Sequence, residues 1–155
     1  TYFNVVNSYY VNFLYNKGVK KVTLSYELTI ENIENLIKNY KNKYNEEPNL
    51  EVVIYGKPEL MISKYCLLNT YVNKEKICNE CAKDYYLVDK YNKKFPIRSE
   101  NCYMKILNYK DINYLDKIDK LQSIGVTNYK IILDRENIEE IKLIISALKI
   151  KENIL

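Results

Sequence analysis

The chain has 155 residues, 47% of them hydrophobic, with 24 basic and 20 acidic side chains for a net charge of +4. That length and apolar content exclude a disordered chain and suffice for a domain with a real core. The mild positive charge, with both signs interspersed, reads as a solvated surface; it is compatible with RNA without pointing to it.

Lysine, asparagine, isoleucine and tyrosine dominate, as expected of an AT-rich genome, so the 17 tyrosines carry little weight as stacking platforms. No stretch is long and apolar enough to cross a membrane, and no basic-then-apolar leader opens the chain. A cytoplasmic setting is therefore expected, in which cysteines favour metal over disulfides.

In chain order, Phe3 to Val6 predicts a short strand. Ser8 predicts the cap of a helix that buries Tyr10, Val11, Phe13 and Leu14 and ends at Gly18. Val22 to Leu24 predicts a second strand. Thr29 predicts the cap of a second helix with Ile30, Ile33, Leu36 and Ile37 at helical spacing. Residues 39–49 read as a polar loop, and Val52 to Ile54 as a strand buried on both faces. Tyr85 to Asp89 and Lys94 to Arg98 read as a β-hairpin turning at Tyr91-Asn92, with Pro96 placing its second arm at a sheet edge. Further strands are expected near 103–107 and 129–133, then a helix from Glu136 through Ile141, Leu143, Ile144 and Leu148.

A pattern recurs. Leu14, Gly18 and Val19 precede a strand and then Glu31-Asn32-Ile33-Glu34; Leu121, Gly125 and Val126 precede a strand and then Glu136-Asn137-Ile138-Glu139. Two copies of helix, Gly-Val, strand, helix predict repeated βα units and a parallel sheet, with strand–helix units at 3–6, 22–25, 51–55 and 103–107. What is unusual in the chain then follows the carboxyl end of a parallel strand, where such folds place their sites.

Four cysteines, Cys66, Cys78, Cys81 and Cys102, are spaced C-x11-C-x2-C-x20-C, and there is no histidine. Four thiolates fill a tetrahedral zinc site or hold an iron–sulfur cluster without another residue type. A zinc ribbon brings two C-x2-C knuckles and this chain has one, so a cluster fits the spacing better. Isolated buried thiols or a redox pair are the competing readings.

These residues carry a resemblance. Glu51-Val-Val-Ile-Tyr-Gly56, Ser63-Lys-Tyr-Cys66 and Cys78-x2-Cys81-x3-Tyr85-Tyr86-Leu87-Val88 resemble successive segments of the collagenase-like peptidase family U32. Ile106 to Ile112, and Gly125-Val126 with Tyr129-Lys130-Ile131, resemble its later segments. The resemblance implies an α/β fold: the carboxyl-terminal half of a TIM-barrel-like (β/α) domain over 1–155, with a cysteine-rich loop and β-hairpin inserted at about 57–102. It also implies an amino-terminal half supplied by a longer protein or a partner chain. Some members are linked to oxygen-independent hydroxylation of RNA bases, with a four-iron, four-sulfur cluster on cysteines and prephenate as oxygen donor in some cases. Carried over, this makes Cys66, Cys78, Cys81 and Cys102 the metal ligands, zinc being the alternative metal, and tRNA or rRNA the partner.

Tyr55 stands where the family has histidine and Glu59 where it has another cysteine. Glu51 and Tyr55 are the catalytic candidates, the first as acid or base and the second as a substrate contact. Glu59 reads as a solvated loop carboxylate, Gly56 as a turn, and Arg98 as a surface residue. A peptidase, and a non-catalytic half-barrel with structural zinc, are the alternative functions.

Overall fold

A computed structural model of the protein describes residues 3–72, 81, 83–100 and 103–152. Its elements, in chain order, are α1 (Ser8–Asn16), β1 (Val22–Thr23), α2 (Ile30–Tyr44), β2 (Leu50–Gly56), β3 (Glu59–Ser63), β4 (Tyr85–Val88), β5 (Lys94–Glu100), β6 (Tyr103–Leu107), β7 (Ile112–Asn113), α3 (Ile118–Ser123), β8 (Asn128–Ile131) and α4 (Ile138–Glu152). They fall into two compact units: Thr1–Gly56 with Ile112–Leu155, and Lys57–Asp111. No helix among the described residues is long and apolar enough to cross a membrane.

The first unit is mixed α/β. β2 is its central strand, parallel to β1 on one side and to β8 on the other. Tyr55 pairs with both Asn113 of β7 and Ile131 of β8, so the antiparallel β7 follows β1 along the same edge of β2. Alternation sorts the strand residues. Leu50, Val52 and Ile54 join Val22 and Leu24 in one buried cluster with Val11 of α1, Ile33, Leu36, Ile37 and Tyr40 of α2, and Leu121 of α3. Each such side chain contributes about 1.5–3 kcal/mol by leaving water.

The recurring Leu-x3-Gly-Val segments have one shared physical cause. After α1, Gly18 takes φ +86°, its amide bonds to the Tyr15 carbonyl, and the Val19 amide bonds to the Leu14 carbonyl. After α3, Gly125 takes φ +101°, its amide bonds to Gln122, and the Val126 amide bonds to Leu121. Both are Schellman caps, and each aims the chain into a strand parallel to β2. The second half of the proposed repeat does not correspond. Thr29 caps α2, its Oγ1 accepting from the Asn32 amide. At the start of α4, however, the Asn137 and Glu140 side chains accept each other's backbone amides in a capping box. The two Glu-Asn-Ile-Glu stretches are thus three residues out of register.

Other expectations need correction. Phe3 to Val6 is not a strand: Asn4 turns left-handed at φ 43°, and the buried Val5 contributes one carbonyl, to the Ser25 amide. Asn7, not Ser8, caps α1, its side chain accepting from the Tyr10 amide. Residues 39–44 are not loop but the last turns of α2. Tyr40 is fully buried, packing edge-on against Tyr15, and the left-handed Asn45 ends the helix.

The second unit is an antiparallel sheet in the order β3-β6-β5-β4. Residues 103–107 were expected to form a parallel βα strand, but they pair antiparallel with β5 and β3. Only residues 101–102 separate β5 from β6, far short of the dozen or so that a parallel crossover needs. Pro96 is not on an edge strand, since β5 lies between β4 and β6; the ladder to β6 starts at Ile97, so the missing N–H of Pro96 is harmless there. The core is small: Leu68, Ile97, Met104 and Ile106, with Cys66, Leu67, Tyr85 and Phe95 packed against it. The same unit holds the ion pairs Lys105–Glu59 (2.7 Å), Lys57–Asp111 (2.6 Å) and Arg98–Asp84 (3.4 Å).

Candidate functional site

Cys66 is placed by the turn after β3. The Tyr65 amide bonds to Ser63 Oγ, and both the amide and the hydroxyl of Thr70 bond to the Cys66 carbonyl. Its half-buried sulfur lies against the apolar cluster, 3.8 Å from Ser99 Oγ on β5. Cys81 is half-buried as well. Cys78 and Cys102 lie outside the described residues. The strand ends that bracket Cys102 in sequence, Glu100 and Tyr103, are partners in the β5–β6 ladder. Among the described residues no three metal-ligating side chains form a group.

Glu51 and Tyr55 share the face of β2 that alternates with the helix-covered one, but they stand at opposite ends of the strand. Four residues put them roughly 13 Å apart, too far to act on one atom together. Glu51 is at the amino end. Lys21 Nζ donates to one of its oxygens (2.7 Å) and Thr23 Oγ1 to the other (2.7 Å). Burial pushes its carboxyl up, but these hydrogen bonds and the charges of Lys21 and Lys130 outweigh it and hold the carboxyl below its ordinary value. Thr23 and Glu51 are register partners, so parallel pairing itself brings hydroxyl and carboxylate together. Neither Lys21 nor Thr23 stood out in the sequence; the signal was their position on, and directly before, the short strand that pairs with β2.

Tyr55 is at the carboxyl end, half-buried, its carbonyl accepting from the Ile132 amide. Gly56 follows at φ +129°, and a Cβ there would lie 2.3 Å from the Ile132 carbonyl oxygen. Close backbone approach as well as backbone conformation therefore requires glycine. The second unit departs after Gly56 and returns at Ile112, and these two residues are register partners.

Glu59 is not a solvated loop carboxylate. It lies on β3 and pairs with Lys105 across the sheet to β6. Arg98 is not a surface residue either: its side chain is 16% exposed, donating to the Ile97 carbonyl and paired with Asp84. Arg135 is exposed.

No solved structure and no curated protein matches the chain. The family model that matches it describes peptidase family U32 and covers residues 1–150. With nearly its whole length matched, the chain belongs to peptidase family U32.

Proposed function

We propose that this chain is an iron–sulfur member of the family, working in oxygen-independent hydroxylation of RNA bases rather than in proteolysis. The observation that carries the reading is its ligand chemistry: four cysteines and no histidine, with the half-buried Cys66 packed against the small apolar cluster. Sulfur donors in a dry setting suit a cluster. Cys66, Cys78, Cys81 and Cys102 would hold it, and when bound it supplies electron transfer. Zinc on the same thiols is the structural alternative.

Proteolysis has less support. The Cys66 sulfur has a serine hydroxyl beside it rather than a base, and a nucleophile needs an activating group. The hydroxyl–carboxylate pair Thr23–Glu51 lies at the amino ends of parallel strands, the end that in (β/α) folds serves stability rather than catalysis. We therefore assign Glu51 to holding β1 on β2. Tyr55, at the carboxyl end, keeps the role of substrate contact. The parallel order β1-β2-β8, helix-covered on the Leu50–Val52–Ile54 face, is what half of a TIM-like barrel would provide. The remaining half, from a longer protein or a partner chain, would complete it, and a cytoplasmic RNA such as tRNA or rRNA would be the substrate.

The test is metal and acid-labile sulfide content of protein purified without oxygen, followed by mass spectrometry of RNA nucleosides from cells with and without the gene. About four irons with matching sulfide, and a hydroxylated base that disappears on deletion, are expected. Zinc alone, or cleavage of casein by the metal-free protein, would overturn the reading.

A further inference from the structure

The tip of the β4–β5 hairpin gathers the aromatic and basic side chains that sequence composition alone argued against weighing. Lys90 Nζ lies 5.0 Å from the centre of the Tyr91 ring and Lys93 Nζ 6.0 Å from it. Lys93 Nζ also lies 4.5 Å from the centre of the Tyr109 ring, which packs edge-to-face with Phe95 at 5.4 Å between ring centres. Tyr91 is 69% exposed and Tyr109 42%. Lys94 and Lys110 adjoin this row and are exposed.

The tip is built rather than loose. Asp89 Oδ1 accepts the amides of Tyr91 (2.7 Å) and Lys93 (2.9 Å), the Asp89 amide bonds to the Lys93 carbonyl, and Asn92 takes the left-handed φ of 61°. The acids nearby are engaged: Asp89 holds the turn, and Asp111 is paired with Lys57. What faces solvent is an exposed ring flanked by ammonium groups. Single strands are bound by this combination, bases stacking on an aromatic face while cations track the phosphates. A folded duplex offers no free base to stack, and a membrane site would want an apolar tip rather than tyrosine between lysines.

We propose that the β4–β5 tip is a contact surface for single-stranded RNA, with Tyr91 stacking on a base and Lys90 and Lys93 meeting the phosphates. The proposal deepens the RNA reading above and rests on it. It assigns this surface to holding the substrate strand, not to the chemistry.

The test is fluorescence anisotropy of the whole chain with a labelled single-stranded RNA of about ten nucleotides, over a salt series. Tyr91→Ala should weaken binding about 5- to 100-fold. The double variant Lys90→Ala/Lys93→Ala should lower the slope of log K against log salt by about 1.4. Lys38→Ala/Lys142→Ala, which removes as much charge from α2 and α4, should leave that slope within error. If the unaltered chain binds RNA and both hairpin variants bind as well as it does, the surface is wrong and the RNA reading survives. If the unaltered chain binds no RNA at all, both fail. Equal losses from the control pair, or tighter binding to phosphatidylserine vesicles with the same dependence on Tyr91, would also overturn the proposal.

Discussion

The two units are held together by different means. In the first, Leu24, Ile33, Ile37, Leu50, Ile54 and Leu121 are all essentially sealed from water, in one cluster that ties three helices to the sheet. In the second, the buried cluster is Leu68, Ile97, Met104 and Ile106. Its outer strands leave Leu60, Met61 and Ile62 of β3, and Tyr86, Leu87 and Val88 of β4, at least 40% exposed. All four cysteines fall within this unit's sequence range, Lys57–Asp111. A sheet with so little core is marginal by area alone, and bound metal is a common source of the missing stability. The larger core carries the architecture; on the proposed cluster reading, the unit with the smaller core would carry the chemistry and draw stability from the metal its cysteines hold.

The largest expected effect tests that dependence directly. Cys78→Ser/Cys81→Ser should abolish metal binding, and backbone amides of β4 to β6 should then exchange with solvent far faster while those of β2 stay protected. Hydrogen exchange read by mass spectrometry separates the two regions. Unchanged protection in β5 and β6 would mean that the small core suffices alone.

Next in size is removal of a side chain from the larger core. Ile54→Ala should cost about 2–5 kcal/mol, since Ile54 on β2 is wholly buried in the cluster with the helices and little can collapse into the space. Urea unfolding followed by exchange should show the loss in β2 and its neighbours first. Met104→Ala, fully buried in the second unit, provides the converse; if either variant lowers protection equally in both units, they unfold as one.

Gly56→Ala comes third, at about 2–4 kcal/mol. The added methyl meets backbone, the Ile132 carbonyl, which cannot swing aside as a side chain can. Thermal melts of the variant beside Gly18→Ala separate the two causes. Gly18 has open space around its missing Cβ and should show only the smaller cost of a left-handed residue, about 1–2 kcal/mol. Similar melting temperatures for both variants would remove the close approach from the account.

How far the sequence could be read follows the same division. In the first unit, much of the punctuation agrees with the structure: Thr29 caps α2, Gly18 and Gly125 close their helices, and Val52 to Ile54 form the buried strand, although Phe13, expected on the buried face of α1, is 52% exposed. Errors there had more than one cause: the apolar run Phe3 to Val6 is turned by the left-handed Asn4, and the polar-looking stretch after Asn39 continues the helix. Tyr40 extends α2 because its ring, not its hydroxyl, decides its place. The second unit was harder. Its β4–β5 hairpin was legible from alternation and the Tyr91-Asn92 turn. The pairing of 103–107 with β5 was not, because a short apolar strand carries no mark of whether its partner runs parallel or antiparallel. The site divides likewise. Cysteine spacing and family resemblance are visible in sequence, whereas the ion pairs of Glu51 and Glu59 depend on register between strands far apart in the chain.

The smallest effect concerns Glu51, and it has a definite sign. Its carboxyl is held below the ordinary value of 4.5 in the folded chain, so its contribution to stability is complete above that value and is lost as pH falls through the folded one. Glu51→Gln should cost about 1 kcal/mol near neutral pH, a modest figure because Lys21 remains 45% exposed and water screens the pair. The gap between variant and parent should close as the medium is acidified below about pH 4.5, since protonation then makes the two side chains alike. Lys21→Met should reproduce most of the loss while leaving Thr23 to hold the other oxygen. If Glu51→Gln instead stabilises the chain while abolishing the proposed RNA hydroxylation in cells, the carboxylate belongs to that reaction, and the unit with the larger core shares in the proposed chemistry.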